Sequence, residues 1–367
     1  MSELSQILSA VRGAPDPSWA LVTVVGVSGS TYRLPGAKQL LRADGTSVGT
    51  VSGGCLDADL VRIVGEVIES QRARFVTYDL SADDDEVWGF GLGCNGVTEV
   101  LVEPAASATS LIEELAATRE ASHGLAAVTV VDGPGIGSRL FVRAGGQTSG
   151  SLGDEDHDRA ARESGRAALA AGRHSELVTD SLRAFIEVQV PAPQLIVCGA
   201  GHDAIPLVRY GSELGWRVTV VDDRGAYLTH NRFPQATALI AGRAEDLPDL
   251  VVLDGRTDAI VMTHNYLRDV EFLRRLIASP VRYIGMLGPR ARTDRIITDL
   301  QRDGVVMPSA EPARLYAPAG LDIGAEGPEQ VAWAILAEMQ AVARGRSGSP
   351  LRDRRAGIHE GLKEGTP

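Results

Sequence analysis

The sequence is short of cysteine and of positive charge, and it contains no long hydrophobic run. Only three of its 367 residues are cysteine, and this small, odd number in a long chain predicts no disulfide framework. Lysine and arginine number 36 against 48 acidic residues, and the net charge of −12 argues against a broad surface for nucleic acid or anionic membranes. No apolar run reaches transmembrane length, and Met1–Ser5 lacks the features of a signal peptide. We therefore expect a cytoplasmic protein with neither a nucleic-acid nor a membrane partner.

What the sequence does contain is a glycine turn in the middle of the chain. Residues 195–198 are apolar and predict a buried strand, and Gly199-x-Gly201-x-x-Ala204 follows directly. Gly199 permits a tight turn, Gly201 lets the backbone approach a pyrophosphate, and the small Ala204 lets a helix pack closely on the strand. The N-terminus of that helix would face the anion. The pattern predicts a Rossmann-like domain.

An acidic residue follows the turn at the expected distance. A second strand over 217–221 ends at Asp222, which is 21 residues after Gly201 and about where a ribose hydroxyl would be bound. A Rossmann scaffold with a degenerate or empty nucleotide site stays open as the alternative, because a fold does not fix a function.

Val190-Pro-Ala-Pro193 is a stiff connector that divides the chain. We expect an N-terminal domain over 1–190, a C-terminal domain over 194–345 and a polar tail over 346–367. The pattern of strands and helices predicts a mixed-sheet α+β fold for the first domain. In the second domain strands and helices alternate, which predicts a parallel sheet with helices on both faces. No internal repeat is evident.

The predicted elements can be given by residue number. Strands before the connector are expected at 20–27, 38–41, 47–51, 74–79, 97–102, 126–131, 139–142 and 185–190, with a helix over 56–68. Strands after it are expected at 195–198, 217–221, 237–240, 259–263 and 281–287, with helices near 203–214, 267–278, 290–302 and 328–342.

Cys55 lies in Ser52-Gly-Gly-Cys-Leu-Asp57, where a strand ends and a helix starts at or near the cysteine. The positive end of a helix dipole favours the thiolate form of a cysteine. The N–H groups of Gly53 and Gly54 are open to an anion. The alternative is that Cys55 is a small residue that packs the turn.

Cys94 lies among three glycines in Phe90-Gly-Leu-Gly-Cys-Asn-Gly96. Cys55 and Cys94 are 39 residues apart without paired neighbours, so a Cys-x-x-Cys metal site is excluded and no metal site is expected. A glycine-rich turn with an incidental cysteine is the alternative.

A third candidate loop runs over 26–37 and carries Ser30 and Arg33. Loops of this kind hold a phosphate or a polar heterocycle through N–H groups, hydroxyls and a fixed charge. A plain surface loop is the alternative.

Two histidines are candidates in the second domain. His264 ends the fourth strand of that domain, and ligands of open α/β sheets bind at the carboxyl ends of strands. His202 lies inside the glycine turn itself. Either histidine could instead be a hydrogen-bonded structural residue.

Taken together, these segments resemble the XdhC/CoxI family, the accessory proteins of molybdenum hydroxylases such as xanthine dehydrogenase. The similarity rests on Gly29-Ser-Thr-x-Arg-x-Pro-Gly-Ala37, Ser52-Gly-Gly-Cys-Leu56, Gly91-Leu-Gly-Cys94, Val197-Cys-Gly-Ala-Gly-His202 and Met262-Thr-His264. The match covers most of the chain. The family more often has Pro at Tyr32, Glu at Asp57 and Gly at Asn95.

The resemblance implies a cofactor chaperone rather than a catalyst. Such a protein binds molybdenum cofactor, as molybdopterin or its cytosine dinucleotide form, and protects it during sulfuration. It docks with a cysteine desulfurase and passes the cofactor to an apo-molybdenum hydroxylase. Glycine loops suit the phosphate end of this ligand, and a thiolate suits its molybdenum or sulfur end.

Two other functions stay open. The second domain could bind NAD(P) and act as an oxidoreductase, with Asp222 favouring NAD, although no acid–base pair beyond His264 is evident. The protein could also be an adaptor that holds no cofactor. We expect a homodimer. We also expect the Cys55 and Cys94 loops to face a crevice shared with the Gly199 turn, within one chain or across a dimer.

Overall fold

The structure is a computed structural model that describes residues 3–13, 17–79, 95–306 and 314–355. The predicted site at Gly91–Cys94 lies outside the described residues, as do residues 356–367 of the predicted tail. The chain divides into two compact units, 2–191 and 192–367. Each is described by itself below.

The N-terminal unit contains two five-stranded sheets. The first contains β1 (Trp19–Ser30), β2 (Lys38–Arg42), β3 (Ser47–Gly49), β4 (Arg74–Asp79) and β5 (Asn95–Pro104), with helices α1 (Glu3–Arg12) and α2 (Asp57–Ser70). The second contains β6 (Leu125–Asp132), β7 (Arg139–Arg143), β8 (Thr148–Ser151), β9 (Ser175–Val178) and β10 (Arg183–Gln189), with helices α3 (Ala105–Glu120) and α4 (Glu155–Ala171).

Every strand pair in these two sheets is antiparallel. The predicted α+β class is confirmed, and the expected mixed sheet is instead two antiparallel sheets. The reason is that most neighbouring strands are joined directly by turns, which reverse the chain direction. The turn at Ala43-Asp44-Gly45 is one of them: Gly45 has φ +84°, and the Asp44 carboxylate accepts the Thr46 N–H at 2.9 Å.

The two sheets have the same topology, so the N-terminal unit contains two copies of one structural motif, that is, an internal repeat. Their strand orders are β3-β2-β1-β5-β4 and β8-β7-β6-β10-β9, and each repeat runs α-β-β-β-α-β-β along the chain. The expectation that the chain has no repeat is therefore wrong.

The equivalence of the repeats extends to single residues. Gly49 and Gly150 hold the same place in the β2–β3 and β7–β8 pairs, both with positive φ, and a Cβ on either would press on the opposite strand. The helices α2 and α4 end on Gln71 and Gly172, which are both left-handed. The two repeats thus share the same backbone conformation at these positions, even where the residue differs, as at Gln71 and Gly172.

Equivalent residues also meet between the two sheets. Val25 and Val131 are the bulged residues of β1 and β6, and both belong to one buried cluster with Leu101 and Phe185. Two buried ion pairs cross between the sheets at equivalent positions. These pairs are Lys38–Glu187 and Arg139–Glu103, each 2.8 Å long. The repeats therefore pack about an approximate two-fold relationship.

The C-terminal unit is a six-stranded parallel sheet in the order β13-β12-β11-β14-β15-β16. Its strands are β11 (Gln194–Cys198), β12 (Arg217–Asp222), β13 (Ala238–Ala241), β14 (Thr257–Val261), β15 (Tyr283–Met286) and β16 (Leu315–Tyr316). Its helices are α5 (Ala204–Glu213), α6 (Leu247–Leu250), α7 (Tyr266–Ile277), α8 (Arg290–Arg302) and α9 (Pro328–Arg344).

Helices cover both faces of this sheet. One buried cluster joins the sheet to α5 and α9, and a second joins it to α7 and α8. The strands are rich in apolar residues because both of their faces are buried. The predicted Rossmann-like parallel sheet is confirmed. Within the described residues, no helix has both the length and the apolar character needed to span a membrane.

Candidate functional site

The carboxyl ends of β11 and β14 are neighbours in the C-terminal unit. Cys198 pairs with Val221 of β12 on one side and with Val261 of β14 on the other. This is the point at which the strand order changes direction, where open α/β sheets bind ligands. Five of the predicted residues gather here, namely Gly199, Gly201, His202, Asp222 and His264.

The two glycines of the turn serve different purposes. Gly199 has φ +118°, and a Cβ there would lie 2.7 Å from the carbonyl oxygen of Met262. Gly199 is thus required by the fold. A Cβ on Gly201 would lie 3.6 Å from the His264 ring, which is an ordinary contact. Gly201 therefore leaves open the space in front of His264 without being needed for folding.

Asp222 braces the glycine turn. One carboxylate oxygen accepts the Ala200 N–H at 2.7 Å and Nη2 of Arg224 at 2.7 Å, and the other accepts the Arg224 N–H at 2.8 Å and its Nε at 2.9 Å. Burial raises the pKa of Asp222, but the hydrogen bonds from Arg224 and Ala200 outweigh it and lower the pKa to about 2. A carboxylate has about four acceptor positions, so this one is fully engaged.

Arg232 braces the same turn from its other side. Its Nη2 donates to the carbonyl oxygens of Ala200 and Gly201, at 3.0 and 3.3 Å. This guanidinium and that of Arg224 both lie over the Tyr227 ring, at 4.8 and 4.4 Å from its centroid. Sequence reasoning missed Arg232 as a site residue. Arg232-Phe-Pro234 belongs to the segments that resemble the family, but the contact of Arg232 with the turn spans 32 residues of sequence and could not be inferred from spacing.

His264 adopts a left-handed backbone with φ +58°, which is unusual for a residue other than glycine. Its Nε2 lies 3.0 Å from the Asp203 carboxylate, and its side chain is 58% exposed. Residues held in such conformations occur often at functional sites. His202 is exposed in the turn. Asp203 immediately precedes α5, but its carboxylate pairs with His264 and does not cap the helix.

A cavity of about 210 Å³ opens beside Asp222, at the carboxyl ends of β12, β13 and β14. Phe272 and Leu267 of α7 give it an apolar side. Asp223 and Arg268 lie at its charged side and form an ion pair of 2.9 Å. An apolar cavity with a few charged groups suits a small planar ligand such as a nucleobase.

The Gly-Gly-Cys turn lies in the first repeat of the N-terminal unit. Helix α2 begins at Asp57, two residues after Cys55, and no side chain caps it. The Ser52 hydroxyl donates to Asp57 at 2.8 Å and accepts the Gly54 N–H at 3.1 Å. The first N–H groups of α2 have no acceptor within the helix. The Gly54 N–H, which the sequence left open to an anion, is thus engaged, and the donors left open among the described residues are those of Gly53 and of the first turn of α2 after Asp57.

Cys55 is half-buried and packs against the core between α2 and the first sheet. Gly54 has φ +106°, and no atom of the described residues lies within 4 Å of the position that its Cβ would take. The Tyr32 ring lies 3.6 Å from the corresponding position at Gly53. Among the described residues, the turn that carries Cys55 is thus open at Gly54 and flanked by the Tyr32 ring at Gly53.

Arg33 is paired with a carboxylate of the chain itself. Its Nη2 donates to Glu3 of α1 at 2.6 Å, and the other oxygen of Glu3 accepts the Thr50 N–H at 3.0 Å. Arg33 therefore ties its loop to the segment before the Gly-Gly-Cys turn. Ser30, the last residue of β1, pairs in register with Asn95.

The candidate loops of the first repeat leave one edge of its sheet. The end of β1, the start of β2 and the end of β3 are neighbours there, because these strands are antiparallel. Asp79 and Asn95, which flank 80–94, lie at the same edge. The topology thus gathers Ser30, Arg33, Gly53, Gly54 and Cys55. Cys94 lies outside the described residues.

Cys198, the third cysteine, is fully buried at the end of β11, and burial raises the pKa of its thiol. Within the described ranges, no three His, Cys, Asp or Glu side chains are grouped so as to hold a metal ion.

Comparisons with known proteins give consistent results. The profile of the XdhC and CoxI family matches residues 14–79, and that of the XdhC Rossmann domain matches residues 195–339. The first match lies in the first repeat, and the second lies in the C-terminal unit.

Three individual proteins are similar over much of the chain. A probable subunit of xanthine dehydrogenase from Bacillus subtilis (strain 168) is 32% identical over 319 residues, which are 87% of this chain and 91% of that protein. The uncharacterised protein YqeB of Escherichia coli (strain K12) is 29% identical over 259 residues, 65% of this chain and 47% of that protein. The crystal structure of a xanthine dehydrogenase from Bacillus halodurans has a TM-score of 0.76 and 31% identity, and the match covers 96% of this chain and 99% of that one. The chain therefore belongs to the XdhC and CoxI family, and its C-terminal unit is an XdhC Rossmann domain.

Proposed function

We propose that this protein takes part in the maturation of a xanthine dehydrogenase-type enzyme, by binding molybdenum cofactor and delivering it to the apo-hydroxylase. The observation that carries the proposal is the half-buried Cys55 below an open, uncapped glycine turn. The relatives described as xanthine dehydrogenase proteins support the choice of partner.

The residues of this turn fit the chemistry of the ligand. Cysteine sulfur is a soft ligand of the kind that suits molybdenum or its sulfur substituent. The N–H groups of Gly53 and of the first turn of α2 suit a phosphate, whereas the Gly54 N–H is bonded to Ser52. Arg33 is paired with Glu3 and so contributes by shaping its loop rather than by meeting the anion. Cys94 is proposed as the second thiol of the site.

The protein acts in this proposal as a chaperone, with the cofactor as cargo. A cysteine desulfurase would dock on the protein to supply sulfur. The protein would be cytoplasmic and would form a homodimer. Because Cys198 is fully buried, the cofactor that receives the sulfido ligand would be held at the N-terminal cysteines.

The test is anaerobic purification after coexpression with the hydroxylase, followed by measurement of pterin fluorescence and molybdenum per protein. Cys55→Ala is expected to reduce both several-fold, and Cys198→Ala is the matched control. Wild-type levels of pterin and molybdenum on Cys55→Ala would refute the role of this thiol. Absence of pterin from the wild type would refute the chaperone function.

Nucleotide binding by the C-terminal unit is the second candidate function. The cavity beside Asp222 favours it, because its apolar side and ionic side together suit a nucleoside. NAD(P) and the nucleotide half of a cytosine dinucleotide cofactor are both candidate ligands. Titration of the purified protein with NAD, NADP and CMP distinguishes them.

A further inference from the structure

Gln39 of β2 is a buried polar residue that is not among the predicted site residues. It is only 3% exposed, and its Oε1 has no hydrogen-bond partner in the part of the chain that the structure describes. A buried acceptor without a partner lowers the stability of the folded protein. Such a group needs an explanation.

The neighbours of Gln39 show which way its side chain faces. Lys38 pairs with Glu187 of the second sheet, and Leu40 packs in the cluster shared with that sheet. Alternate residues of a strand face opposite sides, so Gln39 and Leu41 face α2. Leu41 belongs to the core against which Cys55 packs.

Gln39 is also close to the edge of the sheet. It is the second residue of β2 and pairs in register with Gly49, the last residue of β3. The Gly-Gly-Cys turn follows β3 at this edge. Gln39 therefore lies on the face and at the edge where the candidate loops gather.

The second repeat provides an internal control. Its equivalent of Gln39 is Leu140, which pairs with Gly150 and is buried in an apolar core with Leu152. The fold therefore does not require a polar group at this position. The first repeat has an amide where the scaffold accepts leucine.

The repeats differ at the candidate loops in the same way. In the second repeat, the helix starts earlier, at Glu155, and the Asp154 carboxylate caps it by accepting the His157 N–H at 2.9 Å. The connection between β9 and β10 spans only 179–182, whereas β4 and β5 are separated by 80–94. The second repeat is thus the same scaffold with an ordinary capped helix and a short connection.

From this comparison we infer that Gln39 is a ligand-binding residue in the floor of the cofactor site, below Cys55. Its Oε1 accepts a hydrogen bond from an N–H group of the bound heterocycle. The inference rests on the proposed function, because it assigns the floor of the same site. A pterin ring carries N–H donors that match this acceptor.

Thr23 on β1 is a matched control, because its hydroxyl is also buried without a partner among the described residues. It pairs in register with Lys38 and faces the second sheet, away from Cys55. In the second repeat, Thr129 accepts Nε of Arg139 at 2.8 Å. Lys38, the equivalent of Arg139, has no nitrogen at the position of Nε. The missing hydrogen bond of Thr23 is therefore explained without a ligand.

The experiment compares Gln39→Leu, Gln39→Met and Thr23→Val with the wild type after anaerobic purification. Pterin fluorescence per protein is expected to fall about fivefold in both Gln39 variants, as loss of one hydrogen bond predicts, and to stay unchanged in Thr23→Val. The thermal midpoint of Gln39→Leu should equal or exceed that of the wild type, because leucine removes an unpaired amide. Gln39→Met keeps the length of the side chain if leucine disturbs the fold.

Three results would overturn the inference. Wild-type pterin content in both Gln39 variants refutes it and leaves the chaperone function standing. An equal loss in Thr23→Val shows that the effect is structural. A wild-type protein that carries no pterin refutes both the inference and the proposed function.

Discussion

Asp222 accepts the Ala200 N–H at 2.7 Å, so the acid at the end of β12 holds the glycine turn at the end of β11. A carboxylate at this place in the sequence predicts contact with a ribose. In the structure, all of its acceptor positions bind the turn and Arg224. Asp223, at the charged side of the adjacent cavity, is the carboxylate better placed to meet a ligand.

The bracing role predicts that Asp222→Asn lowers the free energy of unfolding by about 2 kcal/mol at pH 7. The pKa of Asp222 is about 2 in the folded protein and 3.8 as its ordinary value. Because the folded pKa is depressed, the stabilisation is complete above about pH 5 and is lost as the pH falls through 3.8 towards 2.

Denaturant unfolding between pH 7 and pH 2.5 measures this difference. The gap between wild type and Asp222→Asn should be about half as large at pH 3 as at pH 7. Asp223→Asn is the neighbouring control, and it should cost less than about 1 kcal/mol because its ion pair is partly exposed. An equal effect of the two substitutions would count against the bracing role.

In the glycine turn, we expect Gly199 to be needed for folding and Gly201 to be needed for nucleotide binding. Gly199→Ala places a Cβ 2.7 Å from the Met262 carbonyl oxygen at φ +118°, so it should destabilise the protein by about 2 kcal/mol or more. Gly201→Ala meets only the His264 ring at 3.6 Å and should fold normally. It should weaken nucleotide binding about tenfold, because the methyl group occupies the approach of the phosphate.

Thermal unfolding and calorimetric titration with NAD and CMP test the two variants together. Saturable binding of equal strength in wild type and Gly201→Ala would exclude the turn as the phosphate site. A stable Gly199→Ala protein would show that the turn relaxes more easily than its geometry indicates.

The parallel sheet and the glycine turn could be predicted because their signals are local. A strand buried on both faces is a continuous apolar run, and the spacing of Gly199 and Gly201 fixes a turn. Arg232 could not be predicted as a site residue, because its contact with Ala200 depends on how a distant loop folds back.

The internal repeat was hidden for a different reason. It is kept in backbone features such as the left-handed Gly49 and Gly150, which constrain only single, widely spaced residues of the sequence. The buried faces of the helices have changed size, from Leu60 in α2 to Ala161 in α4, so the side chains do not reveal the duplication. The equivalence of Gln39 and Leu140 depends on strand register, which the sequence does not show.

Thr23 and Thr129 are equivalent in the two repeats, but we expect their substitution by valine to have different effects on stability. Thr129→Val removes the acceptor of Arg139 Nε and leaves a buried charged donor unpaired, so it should cost about 2 kcal/mol. Thr23→Val removes a hydroxyl that has no partner among the described residues, so it should be neutral or slightly stabilising. Denaturant midpoints of the two variants provide the measurement, and equal losses would contradict the assignment.

Lys38→Arg should convert the ion pair of the first repeat into that of the second. In the second repeat, Arg139 uses Nη2 for Glu103 and Nε for Thr129, and both residues have equivalents around Lys38. The substitution should therefore keep the pair with Glu187, supply a donor to Thr23 and raise the free energy of unfolding by about 1 kcal/mol. The same substitution in a Thr23→Val background should give no gain, because the acceptor is missing. A double-mutant cycle measures this coupling. A gain that persists without the Thr23 hydroxyl would show that arginine stabilises this position by packing alone, and that the two ion pairs are not equivalent in their hydrogen bonding.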